Sequence, residues 1–320
     1  MAFIFGAVGS QAQNIPQYSL YVTNNYLINP AVAGIEDYSN IKIGHRNQWS
    51  GFDGAPQTSY VTFHMPLMTG GKGNNHRASP KSKSGADRFS SGETYSGQSH
   101  HGIGAQILMD KIGPFRKVQA NLTYAYHIAL DDEINISAGA SAGFFKNSIS
   151  DDEIVFDNPE SLLTASSNGM HLSLGLWLYA TKFYAGVSTQ QLFSKDFDLN
   201  PEVKSLSERQ YLFTAGYKFS VSEQFVLIPS ALYKITPNAP KTLDANLMAE
   251  YNKFIWGGFS YRHQDAYSFL FGIAPNDMFD VQYAYDYTTS DIKSYSSGSH
   301  EITLGIKLGK TVKSARFRGY

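Results

Sequence analysis

From Tyr38 to Leu308 the chain repeats one pattern, short runs in which apolar and polar residues strictly alternate. Val118, Ala120, Leu122, Tyr124, Tyr126 and Ile128 alternate with Gln119, Asn121, Thr123 and His127; Ile302, Leu304, Ile306 and Leu308 alternate with Glu301, Thr303, Gly305 and Lys307. A period of two places successive side chains on opposite faces of a strand, so one face can meet lipid and the other water. Strands of roughly ten residues cross a membrane when tilted. No run of about 18 apolar residues occurs, which excludes an ordinary transmembrane helix. About 14 such segments can be counted. The pattern predicts an all-β chain, a transmembrane antiparallel β-barrel of about 14 strands. An even count brings both chain ends to one side and lets the first strand close onto the last.

Loop lengths support that reading. Past the third strand, short connections at 131–132, 181–182, 222–224, 252–253 and 275–278 interleave with longer ones at 150–168, 193–208, 237–241 and 290–299. Outer-membrane barrels have short periplasmic turns and longer outer loops. Two connections depart from this rule. Residues 263–265 are short for an outer loop. Residues 70–101, rich in Gly, Ser, Lys and Arg, form the longest connection, yet strand parity puts them on the periplasmic side. Either a strand is miscounted or this is a periplasmic insertion, too polar to bury a core of its own.

Charged residues make up 17% of the chain, below the ~25% of soluble proteins. In a barrel only every second strand residue meets lipid, so mean hydropathy stays low, and here it is slightly negative. A net charge of −1 gives no electrostatic case for nucleic acid. Absence of cysteine excludes disulfides, thiol nucleophiles and Cys-ligated metals. Residues 1–12 read as the tail of a signal peptide, with small residues Ser10 and Ala12 before Gln13.

Residues 13–37 precede the first strand and carry no sustained period. Tyr18, Tyr21 and Tyr26 supply large amphipathic groups, and Asn24, Asn25 and Asn29 supply amides for an irregular backbone. Pro30 restricts Asn29, and Gly34 permits a turn. A lead-in of this size can plug a lumen of 14 strands or dock a partner at its mouth. Arg46 in the first strand either pairs with an acid such as Glu250 or Glu301 inside the lumen or belongs to a docking surface. Trp49, Gly51, Gly54 and Pro56 belong to the turn that follows. The division expected is a leader at 1–12, the lead-in at 13–37, one barrel at 38–309 with the insertion at 70–101, and a tail at 310–320.

Nothing nominates an enzyme. The nine histidines show no ligand spacing, and the adjacent His100 and His101 point to opposite faces and read as part of a solvated loop. Acidic strings at 131–133 and 151–153 read as solvated turns rather than calcium sites, being a membrane apart. No catalytic residue, cofactor or metal is expected. Trp49, Trp177, Tyr179, Tyr211, Phe219, Tyr251, Trp256, Tyr261 and Tyr287 lie near strand ends and read as interfacial girdles.

The chain also resembles a known family. Tyr18, Tyr21, Asn29-Pro30-Ala31 and Ala33-Gly34, then Arg46-Asn47-Gln48-Trp49 and Gly51-Phe52-Asp53-Gly54-Ala55-Pro56, match its N-terminal signature. Gly104 with Asp110-Lys111-Ile112-Gly113-Pro114-Phe115, and Gly298-Ser299-His300-Glu301-Ile302 with Leu304-Gly305, extend the match along nearly the whole chain. These blocks resemble the PorP/SprF outer-membrane proteins of the type IX secretion system of Bacteroidetes-type bacteria, a system tied to gliding motility. The 70–101 segment is longer than that family leads one to expect. The resemblance implies a non-enzymatic outer-membrane component with secretion-system partners on the periplasmic side and a secreted surface protein, such as a large adhesin, recognised by its C-terminal targeting domain. A passive porin and a structural anchor are the alternatives sharing the barrel.

Overall fold

The computed structural model describes residues 16–67, 99–149, 166–196, 209–237 and 239–309. Its strand segments are β1 (Ser39–Asn47), β2 (Gln57–Leu67), β3 (His100–Ile112), β4 (Phe115–Ala129), β5 (Ile134–Ile149), β6 (Ser166–Ala180), β7 (Phe183–Asp196), β8 (Gln210–Tyr217), β9 (Phe219–Ser220), β10 (Phe225–Ile235), β11 (Thr242–Tyr251), β12 (Ile255–Arg262), β13 (Ala266–Ile273), β14 (Phe279–Thr288) and β15 (Ser299–Leu308). β8 and β9 are two parts of one stave, both paired with β10 and interrupted at Lys218. The 15 segments therefore build 14 staves in one sheet. Every pairing is antiparallel, and β1 closes onto β15 from Ser39↔Leu308 to Asn47↔His300. Closure pairs the ladder all the way round and leaves no sheet edge in lipid. Among the described residues no helix is long and apolar enough to cross a membrane.

The count agrees with the sequence pattern, and so does the parity. The ends of β2 and β3 that flank 68–98 lie with the short turns 130–133, 181–182, 221–224, 252–254 and 274–278, and with the start of β1 and the end of β15. The 70–101 insertion falls outside the described residues except at its close, where His100 opens β3. An epitope inserted near Gly85 should therefore be hidden from antibody on intact cells, whereas one inserted at Asp53 should be stained. Staining of the Gly85 epitope on intact cells would invert the orientation.

Outward residues such as Leu122, Phe144, Leu176, Leu247, Phe269 and Leu304 are exposed and apolar, as a lipid-facing band requires. Inward residues include the expected Asn121, Thr123, Ser137, Ser141, Asp244, Asn246 and Glu250, all buried. One expectation fails, and one strand turns its apolar face inward. Trp177, Tyr179 and Trp256 are not girdle residues; each is no more than 2% exposed and points inward. On β10, Val226, Ile228 and Leu232 also face the lumen. Both features share one cause. The lumen holds protein rather than water, so inward apolar groups find apolar partners there.

Candidate functional site: the filled lumen

The lead-in occupies the barrel's interior. It makes three one-turn 3-10 helices, Leu20–Thr23, Asn25–Leu27 and Pro30–Val32, with every residue from Ser19 to Glu36 buried. Asn29 is extended ahead of Pro30, and its side-chain oxygen accepts from the amide of Ala31, capping the third turn. Gly34 turns the chain toward β1 with φ of +78°, a conformation that glycine adopts without a Cβ clash. Leu20, Tyr21, Leu27 and Ile28 pack with Val226, Ile228, Leu232, Met248 and Trp256 of the wall in one apolar cluster.

The segment runs lengthwise. Its start is fixed at the long-loop end, where Ser19 meets Arg46, Arg262, Asp286 and Glu301. Its close is fixed at the short-turn end, on His64, His100 and His127.

At the first anchor, the Arg46 guanidinium lies 2.7 Å from Asp286 and 3.4 Å from Glu301. The Ser19 amide donates to Glu301 at 2.6 Å, and its hydroxyl lies 2.8 Å from an Asp286 oxygen. Arg262 donates to the Ser19 hydroxyl oxygen at 3.2 Å and pairs with Asp244 at 3.5 Å and Asp265 at 3.2 Å. Arg46 thus takes Glu301, one of the two acids proposed for it, together with Asp286. Glu250 sits at the opposite end of β11 from this anchor.

A one-turn helix leaves most backbone groups without partners, and in a lumen they need them from the wall. Seven lead-in carbonyls receive wall side chains, the first being Tyr18, to which Arg262 donates at 3.4 Å. Lys42 donates to Thr23, and Gln190 donates to Leu27 at 3.0 Å. Ser188 donates to Ile28 at 2.6 Å and Ser137 to Ala31 at 2.7 Å. The Nε2 groups of His127 and His100 donate to Ala33 at 2.8 Å and Gly34 at 2.9 Å. Lead-in side chains return the contact. Asn29 donates to the wall carbonyls of Leu176 and Val187, and Tyr26 donates to Thr123 at 2.8 Å. The Tyr21 hydroxyl accepts from Asn246 at 2.8 Å.

The wall is also shaped to admit the chain. A Cβ on Gly102 would overlap the carbonyl oxygen of Ala33, and one on Gly139 would lie 2.5 Å from the Ala31 nitrogen. The alternation around His-Gly-Ile-Gly and Ser-Ala-Gly-Ala announces small inward residues, but nothing in one sequence says which chain segment they receive.

Tyr18, Tyr21, Tyr26, Asn29, Pro30, Gly34 and Arg46 are therefore brought together inside the barrel. Trp49, Gly51, Gly54 and Pro56 are not. They form the β1–β2 connection at the long-loop end, where Gly51, Phe52, Asp53 and Gly54 are exposed. Gly51 and Gly54 both have positive φ, and this connection is tied to the β14–β15 loop through Ser50 and Gly298 at 2.7 Å. The sequence reading missed the wall residues that hold the lead-in, above all His64, His100, His127, Ser137 and Ser188. His100 is a correction. It does not belong to a solvated loop but is buried in β3, its ring stacked 4.4 Å from that of His127.

A closed antiparallel barrel with an apolar outer band and an internal segment of its own chain defines an outer-membrane β-barrel protein. The chain belongs to the PorP/SprF family of type IX secretion system membrane proteins, whose family model matches residues 10–306. Its place is the outer membrane, and membership implies interaction with other components of that secretion system. No curated protein sequence matches the chain. Among solved structures it is similar to a Pseudomonas aeruginosa FadL homologue, with a TM-score of 0.50 and 8% identity, covering 89% of this chain and 93% of that one. It is also similar to the CymD monoaromatic hydrocarbon channel (TM-score 0.49, 12% identity, 89% and 91% covered). A third similar structure is Omp33 of Acinetobacter baumannii (0.44, 8%, 86% and 99%). The first of these likenesses describes the fold alone.

Proposed function

We propose that this protein is a plugged barrel that supports secretion or surface retention of a partner protein, such as a large adhesin bearing a C-terminal targeting domain, and that it is not a passive porin. The observation that carries this reading is the burial of residues 19–36 along the lumen, with their carbonyls satisfied by the wall. A porin needs a wet lumen, and polar inward residues suit one only while nothing fills it. Tyr18, Tyr21, Tyr26 and Asn29 act as plug residues. Partner contact falls instead to the exposed rim around Trp49, Gly51, Gly54 and Pro56 and to the periplasmic face. The non-enzymatic reading rests on the family.

The test replaces Tyr18, Tyr21 and Asn29 together by Ala and follows outer-membrane barrel level, entry of a small hydrophilic antibiotic, and partner protein at the cell surface. Expected are a normal barrel level, raised antibiotic entry and retained export. Loss of export with unchanged entry would move partner recognition into the lead-in and overturn the division of labour proposed here.

A further inference from the structure

We propose that the long-loop end of β3–β5 is a binding site for a phosphorylated glycolipid of the outer leaflet, held by Lys111, Arg116 and Lys146 on the lipid-facing side of the wall. Strand parity sets their direction. On β4, Arg116 continues the outward series of Val118, Leu122, Tyr124, Tyr126 and Ile128. Lys111 continues Ile107 and Met109 on β3, and Lys146 continues Phe144 on β5. Arg116 and Lys146 are exposed, and Lys111 is half-buried. From Val118 to Ile128, at about 3.4 Å per residue and a tilt of about 40°, the apolar run stands about 26 Å tall, the height of an outer-membrane apolar band. Arg116 is the next outward position, about 5 Å above that band by the same arithmetic, at headgroup level. Lys146 stands level with Val118 at the upper edge, from which a long side chain reaches the headgroups.

The register gathers the three charges. Lys111 stands directly opposite Arg116, and Lys146 lies diagonal to Arg116, two positions before its partner Ser148. Opposed side chains start about 5 Å apart and diagonal ones about 7–8 Å, and like charges directly opposite destabilise a sheet. Along the same ladder line the outward residues are Gln57, Asn47, His300 and Tyr285 in one direction and Ser148 and Ser166 in the other. The line beneath, from Tyr283 to Asn168, carries Lys146 and no acid. The basic cluster is therefore confined to three staves and meets no outward acid on either line. Asp110, next to Lys111 in sequence, is buried on the inner face, where Thr58 donates to it. An anion from the membrane side offsets the repulsion. A guanidinium takes a phosphate through two hydrogen bonds, and an ammonium takes one as a point charge. Directly beneath, Met109, Val118 and Phe144 are exposed and offer an apolar shelf for acyl chains. Phosphate groups above and acyl chains below, on a face turned to the membrane, fit a lipid rather than free phosphate or an acidic protein segment.

The experiment titrates the purified full-length protein in detergent with bisphosphorylated lipid A, with the same lipid stripped of its phosphates, and with inorganic phosphate, and reads bound lipid by native mass spectrometry. Expected is a saturable one-to-one complex with the phosphorylated lipid, and with neither of the other two. Replacing Lys111, Arg116 and Lys146 together by Gln should weaken that complex about tenfold or more. Arg116→Glu, which sets an acid opposite Lys111, should also weaken it while raising the temperature at which the lipid-free folded band converts on a gel. This variant keeps the test open if the triple variant does not fold. No complex with the wild type overturns the proposal, as does a complex that the triple variant retains. Equal binding of the stripped lipid would reduce the site to apolar contact, and equal occupancy by inorganic phosphate would remove the lipid; either overturns it. A lower conversion temperature of the lipid-free triple variant also overturns it, because acids of the chain itself would then be answering the cluster.

Discussion

Arg46→Met is expected to destabilise the barrel by about 3–5 kcal/mol, the usual cost of breaking a buried ion pair from one side. Arg46 is 2% exposed and lies between Asp286 and Glu301, each 1% exposed. Its loss leaves two carboxylates facing one another, with Arg262 3.7 Å from Asp286 and with hydrogen bonds from Ser19 and Tyr60 in place of the lost guanidinium. The same change at a surface pair would cost no more than about 1 kcal/mol. The measurement is the temperature at which the folded band of unboiled sample converts on a gel. In the Arg46→Met background, Asp286→Asn should recover part of the loss by removing one uncompensated charge. A conversion temperature unchanged by Arg46→Met would mean that the first anchor contributes nothing.

The second large effect is expected from Gly102→Val. The added atoms collide with backbone, the carbonyl of Ala33 and the Cα of Gly34, which cannot rotate aside. Which side yields is decided by how each is held. Gly102 sits in a strand laddered on both sides, to Pro66 of β2 and Ala125 of β4. The lead-in is held by single hydrogen bonds between short irregular turns. The overpacking strain, typically about 1–3 kcal/mol, should therefore displace the lead-in and leave the barrel closed. Gly139→Val should act alike through Ala31 and Pro30. In a chain lacking 16–36, Gly102→Val should have no further effect on permeability. An additional effect there would show that Gly102 serves the wall itself.

The barrel was legible because a period of two repeats in nearly every stave and turn length follows parity. Both signals are local, and neither depends on what fills the lumen. What failed depended on that filling. Trp177 and Trp256 stand near strand ends, where a wet lumen would send aromatic rings outward to the interface, yet they lie inside. Trp177 stacks on Tyr184 with 5.1 Å between ring centres. Val226, Ile228 and Leu232 alternate as any lipid-facing run does, and periodicity alone does not tell which face is which. Asn29, Pro30 and Gly34 were readable as a fixed irregular path because their constraints are intrinsic to the residue types. Their partners, Ser137 at 106 positions from Ala31 and Ser188 at 160 from Ile28, are brought in by closure of the sheet. For Arg46 the sequence leaves Glu250, Glu301 and a docking surface open; Glu301, Asp286 and Arg262 meet it because β12, β14, β15 and β1 end at the same rim.

The central claim is that the lead-in closes the lumen. Single-channel current through the purified protein in a planar bilayer tests it most directly, with Gly102→Val measured beside the wild type. The expected result is no steady current from the wild type and stable open channels from Gly102→Val. Stable open channels from the wild type, equal in conductance to those of Gly102→Val, would contradict it.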